Sequence, residues 1–143
     1  MCGPLCDAVT QQADGRDLLV LLERANLFIV PLDDKREWYR YHHLFADVLY
    51  AHALKEQPAQ VATWHGRASA WYEAHGLRAE AIHHALAATD FARAADLVEL
   101  TWPALHRSNF RSAALQGWMK ALPTAVVRTR PVLSVGYAWE YLN

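Results

Sequence analysis

The spacing of apolar residues changes along the chain and divides it into segments. Over residues 5–12 and again in a leucine-rich stretch over residues 16–26, apolar side chains recur on one face of a helix. Residues from Phe28 to Leu32 are almost continuously apolar, and after a charged turn aromatic and polar residues alternate up to His42. The β-prone run before the turn and the alternation after it predict a two-stranded hairpin.

Helical spacing returns at His43 and continues to the end of the chain. A helix over residues 43–56 is predicted to end before Pro58. Further helices are predicted over residues 60–75, 78–88, 91–106, 109–122 and 131–142, with Gly76, Asp90, Asn109, Pro123 and Pro131 at their ends. Helix pairs that repeat after about 30 residues are typical of tetratricopeptide units.

These segments predict a mainly α fold. Residues 1–56 are expected to form a winged helix, with helices plus a two-stranded hairpin, and residues 57–143 a tetratricopeptide-like antiparallel helical array. The last helix has no partner in that array, so its apolar face, which includes Val132 and Val135, is expected to be partly bare. We therefore expect the chain to belong to a longer protein.

Composition and charge narrow the function classes. The formal net charge of -1 gives no electrostatic argument for nucleic acid or for a membrane surface. The sequence has no apolar run long enough to span a bilayer and no signal-peptide pattern, so a cytoplasmic location is expected. Cys2 and Cys6 are expected to be reduced thiols, with a disulfide or half of a metal site as the alternatives.

A winged helix often binds DNA, so this alternative needs to be weighed. A helix that reads a groove presents Arg, Lys, Asn or Gln along one face. The second predicted helix carries Arg16 and Arg24 against Asp17 and Glu23, and is otherwise mostly leucine. Direct DNA binding by a stand-alone winged helix is therefore the weaker interpretation.

Motifs for catalysis and metal binding are missing from the sequence. It contains no Gly-x-Ser-x-Gly, phosphate-binding loop or His-Glu-x-x-His pattern, so we expect neither an enzyme nor a metal site. Eight histidines are present, but the neighbours His42 and His43, like His83 and His84, are expected to point apart and to chelate poorly.

His42 is the strongest candidate for a binding residue. It lies where the second strand ends and a helix begins, next to backbone N–H groups that have no partner within the helix. Those groups and the imidazole could together hold an anion. The alternative is a histidine that only caps the helix or bonds within the hairpin.

The residues around this hairpin resemble a known family, the MalT-like group of LuxR-family transcriptional regulators, which are signal-transduction ATPases with numerous domains. The Tyr-Arg-Tyr-His-His-Leu-Phe run is a fairly specific part of the resemblance. The similar stretches are Gly3–Thr10, Leu22–Asp34, Trp38–Leu49, Trp64–Gly76 and Glu80–Ala88.

The resemblance implies a place in a larger architecture. In such proteins a nucleotide-binding ATPase domain precedes the winged helix, and helical sensor repeats and a DNA-binding domain follow it. The implied partners are the upstream nucleotide-binding domain, the downstream helical repeats and an inducer or protein ligand on the array. The implied cofactor is ATP or ADP in the longer protein, with none held by this segment alone.

The resemblance also implies roles for individual residues. Related ATPases carry a Met-His-Asp-type motif whose histidine contacts the β-phosphate of ADP and holds a closed, resting state. Tyr41, His42 and His43 occupy the matching positions, so His42 is the implied phosphate sensor. Tyr41, His43 and Arg40 are candidate supporting residues, although His43 departs from the acidic residue of the motif.

The main alternative function is a generic helical-repeat module for protein–protein interaction, which exposed Trp64, Trp71 or Trp118 would favour.

Overall fold

A computed structural model describes residues 1–106 and 113–141, apart from the side chains of residues 102–106, 137 and 139–141. The fold is mainly α with one antiparallel hairpin, as the sequence predicts. The elements in order are α1 (Gly3–Thr10), α2 (Gly15–Arg24), β1 (Ile29–Pro31), β2 (Tyr39–Tyr41), α3 (His43–Glu56), α4 (Pro58–Ala74), α5 (Arg78–Ala87), α6 (Phe91–His106), α7 (Ala113–Ala121), α8 (Thr124–Arg128) and α9 (Pro131–Tyr141).

The chain divides into two compact units, Met1–Ala68 and Ser69–Asn143, and α4 contributes to both. The domain boundary predicted after residue 56 coincides with the end of α3 and stays a prediction. None of the described helices is long and apolar enough to cross a membrane.

In the first unit, α1 and α2 lie unusually close together. The backbone N–H of Gly15 donates a hydrogen bond of 2.7 Å to the Asp7 carboxylate, which joins the start of α2 to α1. A Cβ added at Gly15 would meet the Gly3 carbonyl oxygen at 2.7 Å, so only glycine fits there. A small core of buried residues joins the hairpin to α2, and it consists of Leu19, Ile29 and Tyr39.

The register of the hairpin is set by the hydrogen bonds of its turn and by the alternation of buried and exposed side chains along its strands. Val30 pairs with Arg40, which places Ile29 and Tyr39 on the buried face. In the turn, the Asp33 carboxylate accepts hydrogen bonds from the N–H groups of Glu37 at 3.0 Å and Trp38 at 2.8 Å. These bonds hold the pKa of Asp33 below its ordinary value.

The amino terminus adds a third, short run to this sheet. Met1 and Tyr39 exchange two hydrogen bonds of 2.8 Å, one from the Met1 amine to the Tyr39 carbonyl and one from the Tyr39 N–H to the Met1 carbonyl. Cys2 and Trp38 form the next antiparallel bridge. Met1 and Cys2 therefore lie along the edge of β2 that faces away from β1.

In the second unit, small residues allow close packing between helices. Ala81 and Ala85 on α5 and Ala94 and Ala95 on α6 are all completely buried, as the alanine-rich pattern predicts. The buried Ser69 hydroxyl donates to the Ala81 carbonyl and accepts from the Arg93 guanidinium, which also pairs with Glu73. The helices are therefore joined by polar as well as apolar contacts.

Most helix limits agree with the prediction, and the differences have simple causes. Pro58 was expected to stop a helix; it does follow the end of α3, but it also opens α4, where its missing N–H costs nothing. The short link between residues 123 and 130 was predicted without structure, yet it contains α8. The predicted ends at Asn109 and Leu142 lie outside the described residues.

Two local predictions are confirmed by the geometry. Asp90 caps α6 through a 3.1 Å bond from the Arg93 N–H to its carboxylate, and Gly76 has the positive φ of 74° expected after a helix. On α9 the expected bare face is present at Val132 and Val135, which are exposed, while Leu133 is fully buried.

Candidate functional site

The turn from β2 into α3 is centred on His42. Its backbone N–H donates to the Phe28 carbonyl at 2.7 Å, which completes the hairpin. Its own carbonyl accepts from the N–H groups of Phe45 and Ala46, both at 3.0 Å, which begins the helix. His42 is thus both the last residue held by the sheet and the first held by the helix, and these three backbone hydrogen bonds fix its position.

The start of α3 presents N–H groups to the solvent side. Within the described residues, the His42 side chain makes no capping hydrogen bond to the helix. The first N–H groups of a helix have no partner inside it, and they carry a partial positive charge from the helix dipole. The first turn of α3 contains no acidic residue to offset that charge. The turn is therefore suited to an external anion.

The two histidines of this turn lie together. The His42 and His43 rings are stacked with centroids 4.4 Å apart and planes at 30°, and both residues are exposed. The expectation that neighbouring histidines point apart was therefore wrong here, because His42 has extended backbone while His43 is already helical. His83 and His84 are also in edge-on contact, with centroids 5.5 Å apart.

The other predicted site residues have different surroundings. Arg40 is exposed and lies in β2 two residues before His42, at a Cα separation of roughly 7 Å expected for alternate residues of an extended chain. Tyr41 points to the opposite face, where it packs on the Phe45 ring at a centroid distance of 5.7 Å and against the hairpin core. Burial raises the pKa of the Tyr41 phenol. The structure therefore brings His42 and His43 together and gives Tyr41 a packing role, while strand alternation places Arg40 on the side of β2 opposite to Tyr41.

Phe28 is a supporting residue that sequence reasoning missed. Its φ is 56°, a left-handed conformation that is unfavourable for a bulky side chain, and its carbonyl receives the His42 N–H. Its ring packs on Phe45 at a centroid distance of 5.0 Å. The strained backbone is held by this contact and aims the carbonyl at His42. An aromatic residue that follows a helix gives no sequence signal for such a conformation.

The described residues give little support to metal binding, to a disulfide or to an interaction surface of exposed tryptophans. No group of three or more His, Cys, Asp or Glu side chains is placed to hold a metal ion. Cys2 is buried and Cys6 half-buried, and both are free thiols, as expected. Trp64, Trp71 and Trp118 are each half-buried, so the exposed tryptophans that would favour a generic interaction module are not observed.

Comparison with known proteins relates the chain to a family. A family profile described as the MalT winged helix domain matches residues 1–61. The serine/threonine-protein kinase PknK of Mycobacterium tuberculosis is 38% identical over 138 residues, which cover 96% of this chain. The HTH-type transcriptional regulator MalT of Yersinia pestis is 37% identical over 132 residues, which cover 92% of this chain.

The relatives are much longer than this chain. The matched region is 12% of PknK and 14% of the MalT regulator. The family profile includes the hairpin, all of α3 and the turn at His42, and it ends within α4. The chain is therefore MalT-like, and its residues 1–61 form a MalT winged-helix domain.

Proposed function

We propose that this chain is a regulatory segment of an ATP-dependent bacterial transcriptional activator. In this proposal the winged helix links an upstream nucleotide-binding domain to a downstream helical sensor array. The segment performs no catalysis itself, and it acts in the cytoplasm. The similarity to a transcriptional regulator over 92% of the chain supports the regulatory role. The similarity to PknK, a kinase by name, covers the same region, which is 12% of that protein.

The observation that carries the proposal is the geometry of His42. An exposed imidazole stands at the start of a 14-residue helix whose first turn holds no acid and whose N-cap side chain makes no capping bond in the described structure. A phosphate group binds well to helix N–H groups and to an imidazole N–H. We therefore assign His42 to contact a terminal phosphate of ADP held by the upstream domain.

The neighbours of His42 suit this role in distinct ways. His43 stacks on the His42 ring and limits its rotation. Arg40 adds a permanent positive charge two residues before His42, which favours an approaching phosphate. Tyr41 fixes the turn from the other side through its contact with Phe45.

The mechanism is a shift between two populations. With ADP bound, the contact from His42 holds the winged helix on the nucleotide-binding domain in a closed, resting state. An inducer on the helical array, together with ATP, favours an open state that assembles and activates transcription. The ligand acts only through its different affinity for the two states, so the His42 contact must exist in one state and be absent in the other.

His42→Ala in a longer protein that includes the nucleotide-binding domain tests the proposal. Loss of one charge-assisted hydrogen bond costs about 1.5–3 kcal/mol, so ADP affinity should fall roughly tenfold to a hundredfold. Basal transcription should rise because the closed state is weakened. ADP affinity is measured by filter binding or calorimetry, and basal activity by a reporter gene.

His52→Ala is the matched control, because His52 is an exposed histidine on the same helix, more than two turns from its start. It should leave ADP affinity and basal activity unchanged. Equal ADP affinity in the His42→Ala protein and in the unmodified protein would overturn the assigned role of His42.

A further inference from the structure

Three contacts form a closed loop around His42. Its backbone N–H donates to the Phe28 carbonyl at 2.7 Å, and its carbonyl accepts from the Phe45 N–H at 3.0 Å. The loop is completed by the rings of Phe28 and Phe45, whose centroids are 5.0 Å apart. These three residues are called the clasp below. The clasp joins the residue before β1, the residue after β2 and the first turn of α3.

The Phe45 ring is held by one ring from each side of the hairpin. Tyr41, the last residue of β2, packs on it at a centroid distance of 5.7 Å and is itself half-buried against the hairpin core. Phe28 packs on it from the start of β1, and 60% of the Phe28 surface is exposed. The Phe28 contact is therefore the more accessible of the two and the easier one to release.

The left-handed backbone of Phe28 is not explained by the end of α2. There the Asn26 N–H donates to the Glu23 carbonyl at 3.0 Å, and Asn26 has a φ of 52°. The Leu27 N–H donates to the Leu22 carbonyl at 3.1 Å, which completes a Schellman motif. Phe28 lies beyond that motif, yet its φ is 56°. A bulky residue keeps such a conformation only where its surroundings hold it.

The strain at Phe28 and the contacts that hold it are of similar size. The free energy by which a left-handed backbone is disfavoured in a bulky residue is comparable with what one aromatic pair contributes beyond its burial. The hydrogen bond from the His42 N–H contributes a similar amount. The closed clasp therefore depends on the ring contact, and loss of that contact shifts the balance towards an open form.

We infer that Phe28 is a positioning residue for the proposed phosphate contact, because the closed clasp holds the backbone that presents His42. In the open form Phe28 leaves the left-handed region, its carbonyl leaves the His42 N–H, and the imidazole loses its fixed place at the start of α3. This inference rests on the proposed function. It adds a means of regulation, since opening of the clasp withdraws His42 from the phosphate.

Hydrogen exchange at the His42 N–H, measured by NMR, tests the inference in the whole chain without nucleotide. Phe28→Ala removes the ring but keeps the steric conflict of a left-handed residue, so exchange should be at least about tenfold faster. Phe28→Gly also removes the ring but has no such conflict, so exchange should be at least about fivefold slower than in Phe28→Ala. Phe28→Tyr keeps the ring and should exchange like the unmodified protein.

Leu32 supplies two controls at the other end of the hairpin. Its N–H donates to the Trp38 carbonyl at 2.7 Å, so protection of this N–H shows that the hairpin is intact in each variant. Leu32→Ala removes an apolar side chain that is 55% exposed and lies outside the clasp, and it should leave exchange at His42 unchanged. If Phe28→Ala loses protection at Leu32, Phe28→Leu takes its place and should still exchange faster at His42 than Phe28→Gly.

In a protein that includes the nucleotide-binding domain, the same variants connect the clasp to ADP. Phe28→Ala should lower the ADP affinity measured by calorimetry at least about threefold, but no further than His42→Ala does. Phe28→Gly and Phe28→Tyr should restore most of that affinity. The double variant Phe28→Ala with His42→Ala should bind ADP as weakly as His42→Ala alone, because Phe28 acts through His42.

Three outcomes would overturn the inference. The first is an exchange rate at His42 that Phe28→Ala leaves unchanged, and the second is equal exchange in Phe28→Ala and Phe28→Gly. The third is an ADP affinity that Phe28→Ala leaves unchanged although His42→Ala lowers it. Failure of the proposed function is a different result: His42→Ala itself would leave the ADP affinity unchanged. The regulatory role would then fail with it, whereas the exchange rates would still decide whether the clasp holds the His42 backbone.

Discussion

At the residue scale, the turn of the hairpin depends on one carboxylate. The two oxygens of Asp33 accept separate hydrogen bonds from the N–H groups of Glu37 and Trp38, and these bonds lower the pKa of Asp33. Because the folded pKa lies below the unfolded value, the carboxylate stabilises the fold fully above the ordinary pKa of 3.8. That contribution is lost as the pH falls through the folded pKa.

The prediction is a pH-dependent effect of Asp33→Asn. The amide keeps one acceptor oxygen but cannot titrate, so the variant should be less stable than the unmodified protein at pH 7. The difference should shrink as the pH falls below 3.8, where the unmodified carboxylate also becomes protonated in the unfolded chain and then in the folded one. Urea unfolding at several pH values measures the difference.

Asp34→Asn is the matched control, because it removes a neighbouring charge while the acceptors of the Glu37 and Trp38 N–H groups stay in place. It should not reproduce the pH dependence. An Asp33→Asn effect that is the same at pH 7 and at pH 3 would contradict the assigned role of these hydrogen bonds.

Residue-scale prediction from sequence succeeded where local chemistry is decisive. The placement of His42 at the junction of strand and helix follows from the change of period at that point, and Asp90 was identifiable as a helix cap. The left-handed conformation of Phe28 and the stacking of His42 on His43 were not predictable. The first accompanies a contact with Phe45, and the second depends on backbone angles at the start of α3, neither of which the sequence pattern encodes.

At the element scale, the packing of α1 on α2 depends on a missing side chain. A Cβ at Gly15 would lie 2.7 Å from the Asp7 carboxylate oxygen, 2.7 Å from the Gly3 carbonyl oxygen and 2.8 Å from the Cys6 Cβ. Gly15→Ala should therefore destabilise the protein by about 1–3 kcal/mol, the usual cost of overpacking a closely packed site. The free energy of unfolding from urea titration is the measurement.

Gly66→Ala provides the matched control in α4. Nothing lies within 4 Å of a Cβ added at Gly66. Alanine there should stabilise the protein by about 0.5–1 kcal/mol, because it favours the helix more than glycine does. If both substitutions changed stability by the same amount and in the same direction, helix propensity rather than close approach would determine the result.

Helices and strands were predicted best where the periodic spacing of apolar residues was strong. The limits of α3 agree with the predicted range of 43–56, because an aromatic strand precedes it and Pro58 follows it. The pairing of Met1 with Tyr39 was missed, since the two residues are far apart in sequence and two residues show no periodicity. The short helix α8 was also missed, because five residues are too few to show a helical period.

At the scale of the whole molecule, exposed apolar side chains are concentrated in the winged helix. Most of the large exposed apolar residues lie between Leu18 and Leu54, and α3 has no buried residue. An apolar surface on this scale usually marks a site of interaction. The sequence predicted that the leucines and valines of α2 and α3 would share helix faces, but only the structure shows which of them are uncovered.

Leu44 and Val48 belong to this surface and lie one turn apart on α3, with 63% and 65% of their surface exposed. In the closed state of the proposed mechanism, the start of α3 meets the nucleotide-binding domain, so these side chains should be covered there. The double variant Leu44→Gln and Val48→Gln should change the stability of the isolated chain by less than about 0.5 kcal/mol, because neither side chain is buried in it.

In a protein that includes the nucleotide-binding domain, the same double variant should release ADP at least roughly tenfold faster. Burying a single leucine or valine contributes about 1.5–3 kcal/mol, and the closed state would lose two such contributions while keeping His42. Val132→Gln with Val135→Gln alters two equally apolar and exposed residues of the second unit, and it should leave ADP release unchanged. Equal release rates for both double variants would mean that α3 does not contact the nucleotide-binding domain, and His42 would then have to reach the phosphate without the support of its own helix.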